Sequence, residues 1–183
     1  MPLNHTSKYA ELTDVQFLLI GKLTVEFSII EFLLREVLSR LLITSSFLGR
    51  TFTERMNVNV LIEKIKNALD IHKRRFGNSI VSKDLCELLK AKLGEIEEIR
   101  LIRNKFAHYC WSRQTDDEIF GTGFLSKQAK YSKPNEGVIV ITNNEIEEMY
   151  QNVFILVNDI EGILTNLPEL IVDKELKSKL KYK

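Results

Sequence analysis

The chain has few of the residues that cross-link small folds or bind metals. Its 183 residues include only two cysteines and three histidines. Cys86 and Cys110 form no C-x-x-C pair, and no histidine pair stands near them at the spacing of zinc ligands. We therefore predict two reduced thiols packed as small apolar side chains, with neither a disulfide framework nor a metal site. No other pattern indicates a cofactor.

The sequence also lacks an excess of charge of either sign. Its 26 lysines and arginines stand against 25 aspartates and glutamates, a formal net charge of +1. A protein that coats nucleic acid, or binds membranes through a polybasic surface, is usually far more basic. Any contact with nucleic acid is therefore expected from local patches.

No apolar run is both long and free of charge. The stretch 17–43 has the length of a membrane span, but charged residues interrupt it at Lys22, Glu26, Glu31, Arg35, Glu36 and Arg40. Residues 1–8 are polar and lack the apolar centre of a signal peptide. These features predict a soluble cytoplasmic protein that does not insert into membranes.

Apolar residues recur at steps of three and four over most of the chain, which is typical of amphipathic helices. The first helix is predicted over about 11–42, and its apolar stripe is wide enough to pack on two sides, which favours a homodimer. Capping-box spacings at 51–54 and 142–145 predict two further helix starts, and Ser82 predicts another. Gly77 and Pro168 mark two helix ends.

The pattern of residues changes from helix-like to strand-like after position 110. Residues 119–125 and the β-branched run 138–141 predict two strands, joined through the turn-like segment 133–137. The predicted fold is mainly α, an up-and-down helical bundle of four to five helices with a small inserted β-hairpin at about 118–142. A single domain is predicted over 1–183, with a lysine-rich tail at about 173–183.

One short segment, 103–108, combines side chains that suit cleavage of RNA. A histidine with a pKa near neutrality can take the 2′-hydroxyl proton or protonate the departing 5′-oxygen, which makes His108 a candidate acid or base. Arg103 can hold the phosphate and offset its growing charge, and Asn104 can orient either group. The alternative is structural: Arg103 as an ion-paired core residue, Asn104 as an amide at the helix end, and His108 as a cap.

The stretch 102–109, which closes a long predicted helix, resembles the HEPN family. That family carries an arginine, often followed by asparagine, and a histidine five or six residues later at a helix end. Residue by residue, Arg103, Asn104 and His108 match this motif. The resemblance implies a dimeric helical bundle that cleaves RNA without a metal, as in toxins and defence factors. A similar run also occurs in helical regulators that resemble the mannitol operon repressor.

Two functions follow from this resemblance. The first is a metal-independent endoribonuclease, toxin-like or phage-defence-like, that acts as a homodimer. The second is a non-catalytic protein, antitoxin-like or transcription-regulating, that acts by contact with a protein partner. For the first, RNA-backbone or base contacts are predicted at Lys105, Trp111, Arg113, Lys73, Arg74 and Arg75. The basic cluster at 72–75 also has a structural explanation, because cations stabilise the C-terminal end of a helix. His72, as part of this cluster, is expected at the surface.

Overall fold

A computed structural model of the protein describes residues 11–123 and 137–170. Five helices are present: α1 (Asp14–Leu41), α2 (Ser46–Thr53), α3 (Val58–Phe76), α4 (Lys83–His108) and α5 (Asn143–Asn166). Three strands lie between α4 and α5 in the chain: β1 (Tyr109–Arg113), β2 (Glu118–Gly123) and β3 (Val138–Thr142). The prediction of a mainly helical fold with a small β insertion is confirmed.

The strands form one antiparallel sheet in the order β1-β2-β3. Trp111 pairs with Gly121 between the first two strands, and Ile119 pairs with Ile141 between the second and third. The sequence predicted only two strands, because β1 follows α4 without an intervening turn and its five residues were assigned to no element. The predicted strand residues 124–125 and most of the predicted turn lie outside the described residues.

The chain divides into two compact units. The first lies within 1–28 and 97–155 and has the sheet, with a core that includes Leu23, Phe27 and Ile119. The second lies within 29–96 and 156–183, and where it is described its regular elements are all helices, with a core that includes Leu61 and Leu93. The single domain over 1–183 stays a prediction, and the tail at about 173–183 lies outside the described residues.

Local capping explains where several helices begin. The Leu85 amide donates to Ser82 Oγ at 3.2 Å, which supports the predicted start of α4. At α5 the predicted capping box is present: the Thr142 amide donates to Glu145 Oε2 at 2.7 Å, and the Glu145 amide donates to Thr142 Oγ1 at 3.2 Å.

The helix start predicted at 51–54 is wrong. Thr51 and Thr53 lie in the last turn of α2, where their hydroxyls donate to carbonyls of the preceding turn. The next helix, α3, begins at Val58, and Asn57 accepts a hydrogen bond from the Val60 amide at 3.0 Å. It ends as predicted at Gly77, whose left-handed backbone (φ 56°) directs its amide to the His72 carbonyl.

Among the described residues, no helix has both the length and the apolar character needed to cross a membrane. The two thiols differ in exposure. Cys86 is buried as predicted, whereas Cys110 is exposed, so the prediction that both pack as apolar side chains is wrong for Cys110.

Candidate active site

The predicted motif lies in the last turns of α4, and its residues differ in solvent exposure. Arg103, Asn104 and Lys105 are half-buried, Phe106 is buried, and His108 is exposed as the last residue of the helix. The buried Phe106 fixes which side of this turn faces the core. The motif therefore lies at a helix terminus, as the sequence predicted, with its histidine open to solvent.

Arg103 is held against an aromatic ring. Its guanidinium carbon lies 5.4 Å from the centroid of the Phe27 ring, within the range of a cation–π contact. Arg103 Nε is buried, and within residues 11–123 and 137–170 it has no hydrogen-bond partner. An unpaired buried donor is costly, which makes a purely structural role for Arg103 unfavourable.

Arg100, three residues before Arg103, is paired with a carboxylate. Glu97 accepts two hydrogen bonds from Arg100, one from Nε and one from Nη2, both of 2.7 Å. These bonds raise the pKa of Arg100, because they stabilise its charged form. The expectation that Arg103 is an ion-paired core residue therefore has no support among the described residues, where its guanidinium contacts the Phe27 ring.

Helix geometry separates Arg103 from His108 within one chain. Residues five positions apart on an α-helix point about 140° apart around its axis. The two side chains would converge if the helix ended before His108, but α4 continues through that residue. Asn104 and His108, four positions apart, share one face. Arg103 therefore points toward Phe27 and the core side, whereas Asn104 and His108 share another side.

Trp111 is a packing residue in this structure. Its side chain is buried, and it stacks on Phe106 with ring centroids 4.8 Å apart. Its Nε1 donates to the carbonyls of Lys105 and Phe106, each at 3.3 Å. A ring enclosed in this way is not available to stack on a base, so the predicted base contact of Trp111 is disfavoured.

The other residues predicted to contact RNA differ from one another in exposure and in their neighbours. Lys105 is half-buried near the motif. Arg113 is exposed on β1 and its Nη1 lies 3.3 Å from Asp116 Oδ1, so its charge is partly offset. Lys73, Arg74 and Arg75 are exposed in the last turn of α3 and belong to the second unit, whereas the motif belongs to the first.

His72, the first residue of the basic cluster, is not a surface residue. Only 3% of it is exposed, and its Nε2 donates to the Leu41 carbonyl at 2.8 Å. It therefore satisfies a carbonyl at the end of α1, as helix C-termini require. The expected surface position is wrong because the histidine lies one position before the exposed cations and on the inner side of α3.

Comparison of the chain with protein-family models, with curated proteins and with solved structures yields no match. In the described ranges no group of three or more histidine, cysteine, aspartate or glutamate side chains is arranged to hold a metal ion.

Two residues that form contacts within the first unit, Phe27 and Gln16, were not identified from the sequence. In the sequence, Phe27 is one apolar residue among many in the α1 stripe. Gln16 is fully buried, and its amide nitrogen donates to carbonyls of the β1–β2 turn, the closest being that of Thr115 at 3.1 Å. Gln16 also forms a capping box with Thr13 at 2.9 and 3.2 Å. The Thr-x-x-Gln spacing was a signal that could have identified Gln16.

Proposed function

We propose that the protein is a HEPN-like, metal-independent endoribonuclease, of the toxin or defence type, with Arg103, Asn104 and His108 as its active-site residues. The observation that carries this proposal is the state of Arg103: its Nε is buried without a partner in the described part of the chain, at a helix end where His108 is exposed. A phosphate at the exposed part of the half-buried Arg103 side chain would pair with its charge.

The proposed reaction is a transesterification within the RNA strand. The 2′-oxygen forms a bond to phosphorus, the bond from phosphorus to the 5′-oxygen breaks, and a 2′,3′-cyclic phosphate results. One imidazole takes the 2′-hydroxyl proton and one imidazolium protonates the leaving 5′-oxygen. Arg103 offsets the charge that grows on the phosphate, and Asn104 orients the phosphate or the imidazole.

The proposal includes a homodimer, because this reaction needs an acid and a base and each chain supplies one histidine at the motif. Two exposed imidazoles, one from each copy, would meet that need. The first unit has a suitable contact surface on α1, where Val15, Leu18 and Val25 are 55%, 57% and 62% exposed. With Lys22 they follow the alternating three- and four-residue spacing of helix–helix seams.

The test is incubation of the purified protein with cellular RNA and tRNA in EDTA, alongside His108→Ala. We expect cleavage by the wild type that leaves 2′,3′-cyclic phosphate ends, and its loss in the variant. Cys110→Ala is the matched control, because Cys110 is also exposed, lies two residues away, and has no proposed role. Cleavage that persists in His108→Ala, or no cleavage by a folded, dimeric wild type, would contradict the proposal.

The second candidate function is that of a non-catalytic regulator or antitoxin-like protein that binds a protein partner. One observation favours it: α2 in the second unit exposes two phenylalanines, Phe47 at 80% and Phe52 at 74%, beside a half-exposed Leu48. Large exposed aromatic side chains on a short helix favour a protein contact site. Failure of the cleavage test would shift the proposal to this function.

A further inference from the structure

The contact between Phe27 and Arg103 is unusual for an arginine at the edge of a core. Phe27 is 1% exposed and lies on α1, and Arg103 lies on α4, both within the first unit. The ring centroid is 5.4 Å from the guanidinium carbon. A partly buried cation is usually balanced by a carboxylate, which neutralises its charge and occupies its donors.

An aromatic ring holds a guanidinium differently from a carboxylate. The ring attracts the cation through the negative potential of its face and accepts no conventional N–H hydrogen bond in doing so. The charge of the arginine then remains for a ligand. The unpaired Nε of Arg103 agrees with this arrangement, as does the engagement of Glu97 by Arg100 one turn earlier.

We propose that Phe27 is a positioning residue that holds the Arg103 guanidinium in place for a phosphate group of the substrate. This inference rests on the proposed function for the identity of the substrate, a phosphodiester of RNA. The chemistry that Arg103 recognises is that of a phosphate oxyanion. Phe27 does not touch the reacting atoms and acts only through Arg103.

The binding step can be tested without any cleavage. Inorganic phosphate is titrated into ¹⁵N-labelled wild-type protein, and the N–H resonance of Arg103 Nε is followed after its assignment with Arg103→Lys. We expect phosphate to shift this resonance in the wild type. In Phe27→Leu, which keeps an apolar side chain but removes the ring, we expect the dissociation constant to rise by roughly threefold to tenfold, the range of a cation–π contact.

A second substitution separates positioning from packing. Replacement of Phe27 by 3,4,5-trifluorophenylalanine keeps the shape of the ring but weakens the negative potential of its face, so phosphate binding should weaken in the same direction. Leu19→Ala, also at a buried position of α1, is the control for lost packing. Phosphate binding that is unchanged in both Phe27 variants, equally reduced in Leu19→Ala, or absent from the wild type would overturn the inference.

Cleavage provides a separate readout. If the wild type cleaves RNA, Phe27→Leu should lower kcat/KM by roughly the same factor as it lowers phosphate binding, without moving the pH dependence of cleavage. A changed pH dependence would contradict a role exerted through Arg103. If no RNA is cleaved, the proposed function fails, while the phosphate titration still decides the role of Phe27.

Discussion

The indole ring of Trp111 lies over Gly121, its antiparallel partner on β2. A Cβ atom at position 121 would come within 2.8 Å of the ring. The same indole stacks on Phe106 and donates to its carbonyl, so β1 is fixed to the end of α4. Because that end carries His108, the packing of Trp111 against Gly121 supports the geometry of the proposed active site.

Gly121→Ala is therefore expected to destabilise the protein. The added methyl would overlap the buried Trp111 ring, and overpacking of this kind typically costs about 1–3 kcal/mol. Urea denaturation measures the effect. Gly94→Ala is the matched control, because Gly94 is an exposed residue inside α4 with open space at its Cβ position. It should stabilise by about 0.5–1 kcal/mol through a better helix propensity. A neutral Gly121→Ala would show that the indole can move aside.

The capping box of α5 predicts a dependence of stability on pH. Hydrogen bonds from the amide and hydroxyl of Thr142 lower the pKa of Glu145 below its ordinary value of 4.5. Because the folded state binds the Glu145 proton less tightly than the unfolded state does, the ionised Glu145 stabilises the fold. This stabilisation is fully present at a pH above the unfolded pKa. It is lost as the pH falls through the lower, folded pKa.

Glu145→Gln should therefore reduce the free energy of unfolding at pH 7 and have a smaller effect at pH 3. The expected difference at pH 7 is about 0.5–1 kcal/mol, the range of a helix cap with a favourable charge. Urea midpoints at the two pH values measure it. Glu148→Gln, an exposed position on the same helix, serves as the control. An equal loss at both pH values would mean that the charge of Glu145 contributes nothing.

The two cysteines should differ sharply in reactivity. Burial raises the pKa of the Cys86 thiol, and because the thiolate is the reactive species, this thiol should stay protected in the folded state. Cys110 is exposed. A disulfide reagent at pH 8 should therefore modify one thiol rapidly and the second only after unfolding in urea. Cys110→Ser should abolish the rapid phase, and a rapid phase that survives would show that Cys86 opens locally.

The long helices could be predicted because their apolar residues repeat with a single period. The start of α5 could be predicted because Thr142 and Glu145 satisfy each other within one turn. The short helix α2 was missed because its stability depends on neighbours: the buried Gly49 lies where a Cβ would be 1.8 Å from Ser39 Oγ. No local pattern in the sequence shows such a close approach.

The candidate site was likewise only partly predictable from the sequence. The motif and its place at a helix end could be read from residues 103–108, because the spacing is local. The partner of Arg103 could not, since Phe27 is 76 positions earlier and is an ordinary member of an apolar stripe. Likewise, the burial of His72 depends on the distant Leu41 carbonyl, whereas its exposed neighbours suggested a surface position.

The proposed homodimer predicts that a charge in the α1 seam weakens both association and cleavage. Leu18 is 57% exposed, so Leu18→Asp should leave the fold of the monomer intact while placing a carboxylate in an apolar contact. Sedimentation velocity should show a shift from dimer to monomer, and cleavage should fall in parallel if two copies form one site. Ile155→Asp is the control, because Ile155 is 54% exposed on α5. A dimer that survives Leu18→Asp would exclude this face of α1 as the dimer contact, and cleavage by a monomeric variant would contradict the two-copy active site.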